Sequence, residues 1–188
     1  STTYTLTSST YAELTSSTSG VSTAVAGAAA LTVSDAVTVA QFNTLDAATT
    51  ATITASSLVG TVAELLATNA ATALTSASAV SLSSGASTTI TAAQAVALKA
   101  KGLSQLDAVI ATLDISDTAA NLQSTPGATL TAFDSVIVSD EGTLTIDVAQ
   151  ADAIFDSAND GSVSSNNASN SEGSLRATYT ISDTAANI

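Results

Sequence analysis

The chain of 188 residues has no Cys, His, Met or Trp, a single Pro, and 3 Lys and Arg against 16 Asp and Glu. Each shortage excludes something. Without His or Cys, no Ser-His-Asp or Cys-His arrangement can activate a nucleophile. A Ser-Lys pair would have to use Lys99 or Lys101, which sit at the end of an expected helix, where their charge complements the helix dipole. Three cations at a net charge of −13 cannot supply the phosphate-neutralising footprint of a nucleic-acid binder, and an anionic membrane surface is disfavoured for the same reason. The lack of Cys fits secretion without a disulfide step.

Long apolar runs are also missing. The richest stretch, Val21 to Val33, is interrupted by Ser22, Thr23, Gly27 and Thr32 and is too polar to span a bilayer. No basic segment followed by an apolar core stands at the start, so no secretory signal peptide is read there. The expectation is that a longer protein was cut or that export takes another route. Aromatic residues are 3 % and charged residues 10 % of the chain, yet 45 % is hydrophobic and the mean hydropathy is +0.39. Such a chain folds, but around Ala, Val, Leu and Ile, which bury little area each. A thin core of this kind suits stacked layers.

What is present is a repeat. Ile115-Ser-Asp-Thr-Ala-Ala-Asn-Leu122 returns almost unchanged as Ile181-Ser-Asp-Thr-Ala-Ala-Asn-Ile188. The inner pattern generalises to seven copies starting at Thr10, Thr38, Thr61, Thr91, Thr118, Asp147 and Thr184. Every copy has Ala in its third place and Glu, Gln or Asn in its fourth. The spacings are 28, 23, 30, 27, 29 and 37, a mean of 29, and copies ending in Gln (at 38, 91 and 147) alternate with copies ending in Glu or Asn.

Thr or Asp followed three residues later by Glu or Gln is a capping box. The first side chain accepts from the N3 amide, and the N3 side chain accepts from the cap amide. Asn is shorter and closes the box less well, so Asn121→Glu is expected to restore it. The Ala common to all copies suggests close approach of each helix start to a neighbouring layer. Each box follows a short stretch alternating Thr with an aliphatic or Tyr, such as Thr3 to Thr7, Thr50 to Thr54, Thr143 to Ile146 and Thr178 to Ile181, the pattern of a half-buried strand. Val80 to Leu82 and Val136 to Val138 are candidates for second strands. Gly102 after Lys99 and Lys101 reads as a helix C-cap, and Ser124-Thr-Pro-Gly127 as a turn. The polar span from Asn159 to Gly173 accounts for the longest spacing and reads as a surface loop.

The fold expected from strand–box–helix order is α/β: a tandem-repeat solenoid with one strand and one short helix per unit of about 29 residues, the alternative being an all-β solenoid or sandwich. Residues 1–188 form one continuous array of about seven units. Its last copy stops inside a helix, as expected of a fragment of a longer array.

Candidate chemistry is sparse. Asp114 with Asp117, and Asp140 with Glu141, are carboxylate pairs with no aromatic sugar platform beside them; acids at helix starts favour the dipole. Asp156-Ser-Ala-Asn-Asp-Gly161 resembles the opening of an EF-hand loop but has Ala158 at its third place and Asn167 at its twelfth, so it fails as one. A calcium site assembled from adjacent coils would draw first on Asp114, Asp140 and Asp147, then on Asp156 and Asp160. Thr-x-Thr triplets at 3/5, 50/52, 129/131, 143/145 and 178/180 are a feature of ice-binding solenoids, though here their spacing is irregular.

The stretches Ile115 to Leu122 and Ile181 to Ile188, with Ile90 to Gly102 and Leu144 to Gln150, resemble repeats of very large bacterial secreted and surface proteins, adhesin-like or S-layer-like and exported by type I secretion. The resemblance implies an extracellular or cell-surface location and a structural role, and it carries over no site residues. The expected function is a non-catalytic structural segment without a cofactor: a stalk, spacer, S-layer or filament lattice element. Its expected partners are neighbouring repeats or further copies of itself. The alternatives are an adhesin or cation-dependent module with a surface or matrix ligand, and an ice-binding surface.

Overall fold

The computed structural model describes residues 4–16, 23–130, 132–140, 143–148, 150, 163–165, 175–176 and 179–182. The chain is mixed α/β with predominantly parallel strands, which sets aside the all-β alternative. It divides into two compact units, one of residues 1–86 with 103–108, the other of residues 87–102 with 109–188.

In the first unit β1 (Thr5–Ser9), β2 (Ala30–Thr38), β3 (Thr52–Gly60) and β4 (Val80–Leu82) lie side by side in chain order, all parallel. The crossovers are α1 (Tyr11–Leu14) with α2 (Thr23–Gly27), α3 (Val39–Ala48), and α4 (Val62–Leu66) with α5 (Ala71–Ser76). In the second unit β5 (Thr89–Ile90) leads to α6 (Ala92–Ala100), and α7 (Asp107–Ile110) begins in the first unit and ends in the second. There follow β6 (Asp114–Asp117), α8 (Ala119–Gln123), α9 (Gly127–Leu130), β7 (Ser135–Val138), β8 (Leu144–Ile146), β9 (Val163–Ser165), β10 (Leu175–Arg176) and β11 (Tyr179–Ile181). The strand order is β10-β9-β7-β6-β5, parallel except for the β10–β9 pair, and β11 pairs in parallel with β8.

The boxes at Thr10, Thr38, Thr61, Thr91, Thr118 and Asp147 each follow directly on a strand or begin at its last residue, so strand, cap and helix are consecutive. The ladders explain the alternating pattern. β3 alternates exposed Thr52 and Thr54 with buried Ile53 and Ala55. In register, Leu6, Leu31 and Ile53 stack on one another, as do Ile90, Ile115 and Val136. The helices close the other side of this core with residues at i, i+3 and i+6: Val39, Phe42 and Leu45 in α3, and Ala92, Ala95 and Leu98 in α6. Phe42 and Phe133 are the largest fully buried side chains; the rest of that group is Leu and Ile. The core is aliphatic and thin, as the composition requires.

Three features differ from the sequence reading. The first is that most crossovers carry a second helical segment. α3 runs ten residues unbroken, but elsewhere the box helix stops after four to nine residues and another begins. Gly102, at φ 61, ends α6 in the left-handed conformation that glycine alone adopts without strain. The expected turn is present at Ser124 and Thr125, between α8 and α9, and Pro126 leads from it into the second helix. The Pro126 carbonyl accepts from Thr129 and Leu130, so it opens α9, where a fixed φ and a missing amide are no handicap.

The second is the common Ala of the boxes. Ala12, Ala40, Ala63, Ala93 and Ala120 are all exposed. The residue before it is the one that packs: Val39, Val62, Ala92 and Ala119 are buried. The Ala therefore marks no close approach; it is a good helix former on the wet side of the first turn.

The third lies in the span read as a surface loop. Within 159–173, residues 163–165 form β9, paired with β7 and β10, and the remainder lies outside the described residues, as does the box at Thr184.

Candidate functional site

The chemistry of this chain is concentrated at its helix starts. A helix leaves its first amides without internal partners, and a buried or half-buried start must find them acceptors. Five boxes do so reciprocally. The Thr10 amide donates to Glu13 Oε2 at 2.8 Å, and the Glu13 amide to Thr10 Oγ1 at 3.3 Å. The corresponding distances are 2.9 and 3.2 Å at Thr38 and Gln41, 2.8 and 3.3 Å at Thr61 and Glu64, and 2.9 and 3.2 Å at Thr91 and Gln94. At Asp147 and Gln150 they are 3.1 and 2.6 Å.

The sixth start is built differently. The Asn121 amide donates to Thr118 Oγ1 at 3.4 Å, but the Asn121 side chain does not return to the cap. Its Nδ2 donates at 2.7 Å to Asp117 Oδ1, which also accepts from the Thr118 amide at 2.8 Å. Asp117 thus replaces the N3 side chain as acceptor, and Asn, a donor, holds it in place.

A second layer of caps comes from the neighbouring strand or from the residues just beyond its end. The box satisfies the cap and N3 amides and leaves the N1 amide open. Tyr11 N donates to Asp35 Oδ1 at 2.8 Å, Ala92 N to Asp117 Oδ2 at 3.0 Å, and Ala119 N to Asp140 Oδ1 at 3.0 Å. In each case the carboxylate lies 21 to 25 residues further along the chain. The Asp117 carboxylate therefore serves two helices, α6 with one oxygen and α8 with the other.

Whether a box carries Glu or Gln follows exposure. Glu13 and Glu64 are exposed, Gln41 and Gln94 half-buried, and Gln150 buried. A carboxylate keeps its hydration in the first case; in the last, a neutral amide avoids burying a charge. Gln150 also uses its donors: Nε2 reaches the Gln123 carbonyl at 3.0 Å and the Thr125 carbonyl at 2.7 Å, tying its box to the end of α8. Gln123 Nε2 donates in turn to the Thr143 carbonyl at 3.0 Å. The Thr10 and Thr61 amides, then their hydroxyls, hold the Glu13 and Glu64 carboxyls below their ordinary value. For Asp117, burial pushes the pKa up, but the hydrogen bonds from Asn121, Thr118 and Ala92 together outweigh it and the net direction is down.

The calcium candidates have other occupations. Asp114 Oδ1 accepts from the Ser135 hydroxyl at 2.6 Å, Asp140 caps Ala119, and Asp147 is an N-cap. Asp156 and Asp160 lie outside the described residues. Among the described residues no three acids come together as a metal-holding group. The Thr-x-Thr triplets meet only in part: Thr145 pairs with Thr180, but Ala30 stands between Thr5 and Thr52, and the β1–β2 and β2–β3 registers shift. Lys99 sits in the last turn of α6, as expected for a charge facing the helix C-terminus. A shallow depression of about 350 Å³ between α6 and the end of α8 is lined by Ala92, Val96, Asp117, Asn121 and Thr125 among others, and its polar groups are those of the caps.

The sequence showed the boxes but not the acids that cap the N1 amides. Asp35 and Asp140 carry no local signal, because their amide partners lie more than twenty residues away. Asp117 was visible as an acid ahead of a capping Thr, which accounts for one of its two helices. No helix among the described residues is long and apolar enough to cross a membrane. No family model, curated protein or solved structure matches this chain.

Proposed function

We propose that the chain is a non-catalytic structural segment of an extracellular bacterial surface protein, a stalk, spacer or lattice element built as a tandem-repeat solenoid. The observation that carries this reading is the cap supplied from the next strand or its end. At three joints, a helix start in one repeat is completed by a carboxylate of the next repeat. Polar groups converge on main-chain amides of neighbouring repeats, and the aliphatic core is shared along the strand ladders. Such an arrangement makes each repeat the structural partner of the next and extends without limit of length. The extracellular location rests on the resemblance of the Ile115 to Leu122 motif and on the acidic composition free of Cys.

The test is surface labelling. Antibodies raised against the segment should bind intact cells of the producing bacterium or its culture medium. Labelling that appears only after the cells are permeabilised would overturn the reading.

A further inference from the structure

The strand sequence Thr-Tyr-Thr-aliphatic occurs twice, as Thr3-Tyr-Thr-Leu6 and Thr178-Tyr-Thr-Ile181. The two copies stand in different surroundings. β11 lies against β8, with Tyr179 opposite Leu144, Thr180 opposite Thr145 and Ile181 opposite Ile146. β1 is the outermost strand of its sheet, paired on one side with β2 and on the other with no strand among the described residues. The end of the ladder shows the consequence. Leu31 and Ile53 are 1 % and 5 % exposed, whereas Leu6, the outer member of the same stack, is only half-buried. Tyr4 beside it is 39 % exposed.

We propose that the outer edge of β1 is an interaction surface for one further repeat unit of the kind that β8 begins, bound in the β8–β11 register. This rests on the tandem-repeat reading above. A strand of the Leu144-Thr-Ile146 type places Leu opposite Tyr4, Thr opposite Thr5 and Ile opposite Leu6. The aliphatic stack gains another member, and the Thr face continues. The alternation of box types agrees: β1 leads to a Glu box, and the strand that precedes an Asn or Glu copy elsewhere leads to a Gln box, as β8 does at Asp147.

The occupant is a unit joined in tandem ahead of β1 and not a free second chain. A ladder of three residue pairs buries far less than the 1,200 Å² or so of a stable interface between separate molecules. Two chains of charge −13 also repel each other, whereas a covalent link supplies an effective concentration in the millimolar range.

The experiment adds a copy of residues 87–177 to the full chain, joined directly to Thr3, so that Tyr4 follows it as Tyr179 does. Amide hydrogen exchange is read at Thr5 and Thr7, the equivalents of Thr180 and of Ser182, whose amide donates to the Ile146 carbonyl across the β8–β11 pair, whereas Tyr4 and Leu6 face β2. The expected result is at least tenfold slower exchange than in the unextended chain. That protection should be lost when the added copy carries Leu144→Asp and Ile146→Asp. Unchanged exchange at Thr5 and Thr7 beside a protected added copy would overturn the proposal. A second variant works without the extension. Ile181→Leu makes residues 178–181 identical to residues 3–6, and the amides of Ile146 and Ser182, which face each other's strand, should keep their protection. Loss of protection there would show that the β1 sequence cannot occupy a β8 edge. Dimers of the unextended chain in sedimentation, with Thr5 and Thr7 protected, would overturn the tandem assignment in favour of a second copy. These readouts concern pairing alone, so the surface-labelling result can fail or succeed independently.

Discussion

At the scale of single residues, a half-buried helix start is specified by whether an acceptor or a donor is needed at a given atom. Gln150 illustrates this. Its Oε1 accepts from the Asp147 amide and its Nε2 donates to two carbonyls. Glu would keep the first bond, lose both others and set a carboxylate against two carbonyl oxygens in a buried place. Gln150→Glu should therefore cost about 2–4 kcal/mol, read from the denaturant midpoint. Gln41→Glu, at a half-buried box, should cost less than about 1 kcal/mol. Equal effects would show that exposure does not decide between the two side chains. Asn121 reverses the expectation drawn from the box pattern. A Glu there would not complete a box, because the cap amide already donates to Asp117, and the new carboxylate would replace the donor that holds it. Asn121→Glu should destabilise by about 1–2 kcal/mol through like-charge contact and a lost hydrogen bond. A rise in unfolding temperature would contradict the arrangement at Asp117.

At the scale of elements, helices of four to ten residues are too short to persist alone, so packing and caps decide where they begin. Val62 and Leu65 anchor α4, and Thr61 fixes its first residue. Replacing Thr61 or Thr91 by Ala removes the acceptor for the N3 amide and should cost about 1 kcal/mol each in thermal unfolding. Melts indistinguishable from the parent for both would mean that the boxes are consequences of the fold and do not contribute to its stability. The second helical segments α5, α7 and α9 have no such signature. They form because the chain must return from the helix layer to the next parallel strand, and their buried side chains, such as Leu74, Val109 and Leu130, fill the core on the way.

At the scale of the molecule, charge acts in two opposed ways. The net charge of −13 makes the compact state repel itself, so acidification toward the pI of about 4.1 relieves strain. The caps respond in the other direction. Glu13, Glu64 and Asp117 have lowered pKa values in the folded chain, so they bind protons less readily than when unfolded. Their contribution is complete above the ordinary values of 4.5 for Glu and 3.8 for Asp, and is lost as pH falls through the folded values below them. The unfolding temperature should thus fall on the acid side of pH 4.5. The double variant Glu13→Gln, Glu64→Gln, whose amides close the boxes without titrating, should fall less steeply. Identical acid limbs would remove the boxes from the account. Salt should stabilise by screening, with calcium and sodium equivalent at matched ionic strength, because Asp114, Asp140 and Asp147 are engaged in hydrogen bonds. Melting curves in chelator, in millimolar calcium and in matched sodium decide this. A shift at calcium far below screening concentrations would indicate a specific site acting by mass action and would favour the cation-dependent reading.

Local chemistry determined much of this protein by itself. The boxes at Thr10, Thr38, Thr61, Thr91 and Asp147 were legible because cap and N3 residue are three positions apart, and the strands before them because alternation is a property of neighbouring residues. The Gly102 helix end was legible for the same reason. Tertiary structure decided the rest. That β1 to β4 lie parallel in chain order, that Asp35, Asp117 and Asp140 cap helices 21 to 25 residues before them, and that Val163 to Ser165 pair with β7 all depend on residues brought together from twenty or more positions apart. Burial decided the choice between Glu and Gln, and it left the shared Ala of the boxes facing water. No spacing in the sequence encodes burial, because it depends on which surface the neighbouring strands and helices cover.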